Sequence, residues 1–367
     1  MSLDPTQTTL LQRLNDALQL PMTEVGVAPV MQLIQESIDT EGHAPALQTE
    51  LALAMCARIR ELLQDSELQL SFLAVWLKGL GALIEFGADI EAVGPAIANE
   101  LALILDELCY HYMRFSQGVE GLSEEQNAAY LEDVSSGLGE AELATAAILS
   151  RSHHAREVLR AHPHLPRYFR LLRWNFGFLH KAGFVLDEEP VLFLAPEGGW
   201  GFELVFSGIS DNYQLQAIVS SVLAELWPEH FEAMPDDILN CYWGTGAPEV
   251  PATFFPEWQT LLWTAWDGNE LSMESHHFIW GAGIPADIMK CPVLDGKRVV
   301  FLTNPPYQRS INVNRDFEGL QVSCRMTKLL SSEELEAALS AIASISNEER
   351  LELLQAHATE THHNIFA

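Results

Sequence analysis

The spacing of apolar residues changes near residue 183, and that change limits the folds open to this chain. Before it, LQTELALAMCARIRELLQ, LSFLAVWLKGLGALIEFG and IEAVGPAIANELALILDELCYHYMRF place apolar side chains three and four apart, which is the period of an amphipathic helix. After it come short β-rich runs: VLFLA, GFELVFSG, WQTLLWTAWDG, SHHFIWGAG, KRVVFLT and LQVSCRMTKLL. A chain of 367 residues exceeds the size at which one core keeps growing, so more than one domain is expected. The patterning predicts an α+β protein. An all-α domain should cover residues 1–150 and an α+β domain with a mostly antiparallel sheet residues 183–367, joined over 151–182 by a basic amphipathic helical connector.

Local signals refine this. Ser123 and Gln126, like Ser331 and Glu334, have capping-box spacing, and Asp211 stands where a helix N-cap belongs, with Gln214 three residues on. PEGGW between two β-rich runs reads as a hairpin turn. Gly87 should make a turn, and Gly94–Pro95 should interrupt the helix that follows. Residues 228–258, rich in Pro, Gly and aromatics, read as a long loop, and a short helix is expected near 347–356. No fixed repeat length supports a helical solenoid.

Charge is the second constraint. The chain carries 51 acids against 20 Lys and Arg, a formal net charge of −31. A surface this negative repels nucleic acid and anionic lipid and attracts basic partners. Five cysteines, none in a CxxC pair, and the lack of a signal-peptide pattern point to a reducing cytoplasm. No apolar run is long enough for a membrane span.

Seven of the cations sit in residues 151–181. Counted at 100° per residue, a helix over 166–182 would collect Arg167, Arg170, Arg173 and Lys181 on one side and Tyr168, Phe169, Phe176 and Phe178 on the other. A nucleic-acid or membrane-surface role would set this helix in a repulsive field. The favoured reading is internal: rings on the core, cations paired with carboxylates of the flanking domains.

Chemistry-bearing motifs are sparse. GxGxxG, GxxxxGK[ST], GxSxG, HExxH, paired CxxC and EF-hand loops are missing from the sequence. His153, His154, His162, His164 and His180 cluster among arginines that disfavour a metal, so no metal and no cofactor are expected. His276 and His277 fall on a predicted strand and would face opposite ways; either is a candidate base or a packed side chain. Asp287 ends the turn in IWGAGIPADI. Tyr307, Arg309, Asn312, Asn314 and Arg315 crowd NPPYQRSINVNRDF, where Tyr307, Arg309 and Arg315 share a face of an extended chain. Arginine with amide donors is suited to clamp a carboxylate or phosphate; the alternative is a loop whose polar groups satisfy residues 228–258.

SGISDNYQLQAIVSSVL, IWGAGIPADI and PPYQRSINVNRDF resemble blocks, roughly SGIxDNxQL, IWGxGxPADI and PPYxRxxN, shared by bacterial proteins with no assigned activity. The resemblance spans about residues 200–345 and implies a bacterial, cytoplasmic setting. Charge and motif together favour a non-catalytic acidic protein that binds another, basic protein, as an immunity protein neutralises a toxin nuclease. An enzyme of unfamiliar type with an anion site in the C-terminal domain is the alternative. An accessory or scaffold subunit of a biosynthetic enzyme is a third reading.

Overall fold

The computed structural model describes residues 5–18, 24–39, 45–64, 70–173, 175–255, 258–274, 277, 279, 291, 293–305 and 310–352. The chain divides into two compact units, with the division between Gly183 and Phe184. The structure is α+β: a helical unit, then a unit built on a mixed, mostly antiparallel sheet. Among the described residues no helix is long and apolar enough to cross a membrane.

The helical unit runs α1 (Pro5–Leu18), α2 (Glu24–Asp39), α3 (Pro45–Leu62), α4 (Leu70–Glu85), α5 (Ile90–Ser116), α6 (Glu124–Leu149), α7 (His153–Ala161), α8 (Leu165–Leu171) and α9 (Gly177–Gly183). Its core is the apolar stripe that the spacing foretells. On α5, Val93, Ile97, Leu101, Leu105 and Leu108 are all fully buried. The α6 capping box forms as expected, with Ser123 accepting from the Gln126 amide and Gln126 answering onto the Ser123 amide. Gly87 makes the expected turn at φ 113°, a conformation costly for any side chain but glycine.

Gly94 and Pro95 do not interrupt α5, which continues through both. Gly94 is there for packing: a Cβ on it would meet the Ser152 hydroxyl oxygen at 2.3 Å, so only glycine lets α5 approach the α7 N-cap.

The basic stretch is not one helix over 166–182. It breaks after Leu171 and restarts at Gly177. The amides of Asn175 and Phe176 both turn back onto the Leu172 carbonyl, and the Asn175 amide group donates to the Tyr112 hydroxyl. That break resets the angular register. Phe169 and Phe176 are buried as the rings-inward reading requires, but Phe178, placed inward by continuous counting, is 44% exposed. Arg151 forms a two-pronged pair with Glu85 at 2.7 and 2.8 Å, Arg156 caps the Leu149 carbonyl, and Arg160 donates to the Gly183 carbonyl. Glu142 accepts from the amides of Phe178 and Leu179 at the start of α9. These contacts lie within the helical unit.

The second unit runs β1 (Glu189–Ala195), β2 (Trp200–Ser207), α10 (Asn212–Leu226), α11 (Asp236–Trp243), β3 (Glu249–Phe254), β4 (Gln259–Leu262), a 3-10 turn (Trp263–Ala265), β5 (Val293–Leu294), β6 (Lys297–Thr303), β7 (Ile311–Asn314), β8 (Ser323–Leu329) and α12 (Ser332–Ala343). The main sheet has the order β4-β6-β1-β2-β8, with β5 also on β6; β3 and β7 form a separate ribbon. Only the β1–β6 pair in the main sheet is parallel among these strands. Val191, Phe193, Val300 and Leu302 pack with Leu215, Ile218 and Val219 of α10. On the opposite face Leu194, Val299 and Phe301 pack with Trp263 and with Leu335 and Ile342 of α12. The VVFL centre of β6, residues 299–302, therefore reads as unbroken apolar sequence because neither face meets water there.

Residues 228–258 are not a single loop. They hold α11 and β3, and Gly244 closes α11 in the left-handed conformation. Nor is SHHFIWGAG seen as a strand where it is described: His277 sits in a turn, its amide donating to the Glu274 carbonyl.

Tyr242 is fully buried and its hydroxyl has no hydrogen-bond partner among the described residues. An unsatisfied buried group of this kind costs stability. Tyr242→Phe should leave stability unchanged or raise it by about 1 kcal/mol, read as the urea midpoint. A clear loss would mean that the hydroxyl is bonded after all.

Candidate functional site

Strands β1 and β6 run parallel in register, Leu194 beside Phe301, so their C-terminal ends open on the same edge of the sheet. β1 passes into the PEGGW turn and β6 into Asn304. Between them lies a cavity of about 220 Å³ lined by Ala195, Glu197, Gly198, Trp200, Phe231, Trp258, Leu302, Thr303 and Asn304.

Three of these residues are aromatic, and each is held. Trp200 meets Phe231 edge to face at 6.3 Å and leans on Trp227 at 5.2 Å. Trp258 is buried, and its indole N–H donates to the Ser220 hydroxyl at 3.2 Å. The polar groups lie on the strand ends. Thr303 donates to the Glu197 carboxylate at 3.2 Å, which orients an otherwise exposed acid; Asn304 is also exposed. Ring faces carry negative quadrupole and attract cations, and a carboxylate beside them adds a charged acceptor. The arrangement suits an ammonium or guanidinium group on an apolar stem.

The residues picked from sequence do not build this site. Asp287, Tyr307, Arg309 and His276 lie outside the described residues. Asn312 and Asn314 sit on the solvent face of β7. Arg315 lies on the buried face, following Ile311 and Val313. Its guanidinium donates to the carbonyls of Cys241 (2.7 Å), Gly246 (3.0 Å), Phe317 (3.2 Å) and Glu318 (2.9 Å). It is a strut for the α11–β3 connection, with its N–H groups already committed to carbonyls rather than to an anion. His277 is buried, with Nδ1 3.4 Å from the Thr264 hydroxyl. In the basic stretch Arg167 is exposed on α8, Arg170 is half-buried there, Arg173 lies in the break and Lys181 on α9.

The resemblance block around α10 is also structural where it is described. Asp211 caps the helix, Gln214 joins the Ser210 amide to the Tyr242 carbonyl, and Asn212 donates to the Ile279 carbonyl at 2.7 Å. Burial pushes the Cys56 and Cys324 thiols up to about 12 and raises Cys109 and Cys241 as well, which keeps them in the un-nucleophilic thiol form.

Sequence reasoning missed Glu197, Trp200, Phe231 and Trp258. The available signal was aromatic crowding in PEGGW, WPEHF and PEW, but no fixed spacing links these segments. Comparison with protein-family models, curated proteins and solved structures gives no match for this chain.

Arg315→Met should destabilise the α+β unit by at least about 3 kcal/mol, because it strands several carbonyls with no donor. Chemical unfolding measures this. A loss near zero would show that water replaces the guanidinium and that Arg315 is no strut.

Proposed function

We propose that this chain is an acidic, non-catalytic binding protein that captures a basic protein, and that a Lys or Arg side chain of that partner enters the aromatic pocket beside Glu197. The proposal places it in a bacterial cytoplasm, where an immunity-type neutraliser of a cationic toxin would have this character. The observation that carries it is that Trp200, Phe231 and Trp258 line the same cavity of about 220 Å³ as Glu197. Charge supports it. Glu229 and Glu232 flank Phe231 and are exposed, as are Asp236 and Asp237 at the start of α11, so a basic partner is drawn toward the same region.

A second reading has one observation in its favour. The pocket sits at the carboxyl ends of the parallel pair, the place where α/β sheets collect ligand and catalytic sites. On that reading Glu197 is a general base for a small cationic substrate.

Titration calorimetry with Lys/Arg-rich, neutral and Asp/Glu-rich peptides of equal length separates the possibilities. The basic peptide should bind, and more weakly as salt rises. Glu197→Gln and Phe231→Ala should each weaken it about fivefold or more, roughly 1 kcal/mol. Equal binding of all three peptides, or unchanged affinity in both variants, would sink the proposal. Turnover of a small cationic compound that Glu197→Gln abolishes would favour the enzyme instead.

A further inference from the structure

A second cluster lies in the helical unit and owes nothing to the pocket. Asp106 projects from α5. His162 closes α7 and His164 opens α8, with Pro163 alone between them. One carboxylate oxygen, Oδ1 of Asp106, lies 3.1 Å from His164 Nδ1 and 3.8 Å from His162 Nδ1. The rings stand edge to face, 5.8 Å apart, and one donor atom from each residue falls within 4.8 Å of the others.

We infer that Asp106, His162 and His164 form a binding site for a divalent first-row transition ion of the zinc class. Two imidazoles and a carboxylate are the ligands such ions prefer. Bonds of about 2.0–2.2 Å to a shared ion put ligand atoms about 3.3 Å apart in a tetrahedral site, and the two Nδ1–Oδ1 separations straddle that value.

Both rings turn Nδ1 toward the same carboxylate oxygen, so a bound cation would take the place of the proton between His164 Nδ1 and Asp106 Oδ1. His162 Nδ1 lies 3.5 Å from the His164 backbone nitrogen, a long contact that ligation of an ion by the Nδ1 lone pair would replace. Arg156 and Arg160 donate to the carbonyls of Leu149 and Gly183. The side chains of Asp106 and His162 are 22% and 18% exposed, while that of His164 is 58% exposed. The three ligands thus leave the ion open on one side to water or to a donor from another molecule. Sequence alone pointed away from a metal because the third ligand is 58 residues from His164 and the intervening arginines look repulsive.

Chelator-stripped full-length protein titrated with Zn²⁺, and separately with Co²⁺ as a spectroscopic probe, tests the site. Wild type should bind Co²⁺ with visible ligand-field bands and should gain thermal stability on adding Zn²⁺. His164→Ala and Asp106→Asn should each lose that class of binding or weaken it at least about tenfold, and both should abolish the Zn²⁺-dependent rise in Tm. His164 is mostly in water, so its truncation leaves the fold intact, which circular dichroism verifies. A double variant, His153→Ala with His154→Ala, and a variant lacking His357, His362 and His363 should retain the binding. Wild type without Zn²⁺ or Co²⁺ affinity, or His164→Ala and Asp106→Asn titrating like wild type, would overturn the inference. So would loss of binding in the C-terminal histidine variant alone.

Discussion

The α+β unit depends on the parallel pairing of β1 with β6. A parallel pair cannot be closed by a tight turn; it needs a long crossover. Here the crossover is most of the unit: β2, α10, α11, β3, β4 and β5 all lie between the two strands in sequence. Both strands bury side chains on both faces, so a one-residue slip would exchange the two cores and gain nothing for either. Register is therefore fixed at Leu194–Phe301, and with it the relative position of the two strand ends. Glu197 and Thr303 meet because that register brings them together, although they are 106 residues apart.

A buried polar network locks the helix layer onto the same sheet. Asn212, Gln214 and Thr260 are fully buried. Buried amides are tolerated only when bonded, and here Asn212 reaches Thr260 and Ile279 while Gln214 reaches Ser210 and Tyr242. These bonds set where α10 begins. Trp258 is tied to the same helix through Ser220, so the network also positions one wall of the pocket. That accounts physically for distinctive polar residues in the SGISDNYQL block without giving them any chemistry.

Legibility in the sequence follows the range of the interaction. The α6 and α12 capping boxes and the α10 N-cap involve neighbours three apart, and the β1–β2 hairpin turns on PEGGW; all were readable. The break at residues 172–176 was not, because the contact that favours it comes from Tyr112 on α5. Parity put Arg315 with the odd positions of NPPYQRSINVNRDF, the face that Ile311 and Val313 bury, but nothing local told that carbonyls of Cys241 and Gly246 would take up its guanidinium. The pocket was illegible for the same reason. Phe231 and Trp258 come from segments distant from the Glu197–Trp200 turn, and only the β1–β6 register and the α10 layer bring them to it.

Five described cations of the α+β unit serve as internal fasteners. Lys297 pairs with Glu203, Arg298 with Glu189 and Lys328 with Glu334, while Arg315 and Arg350 hold backbone carbonyls. Arg350 also lies over the Trp263 ring, 5.7 Å from its centroid. Exposed pairs of this kind add little stability; the two apolar cores do the holding, which is why the fold withstands a large acid surplus and its self-repulsion. A surface left this negative acts only over roughly 8 Å at physiological salt. It draws a basic molecule close but distinguishes poorly between one cation and another. Discrimination then falls to short-range contacts, where ring faces and a fixed carboxylate respond to the shape of the cation's stem as well as its charge. On the proposed reading the two features are complementary: the diffuse charge governs how fast a partner arrives, and the pocket between the strand ends governs which one stays.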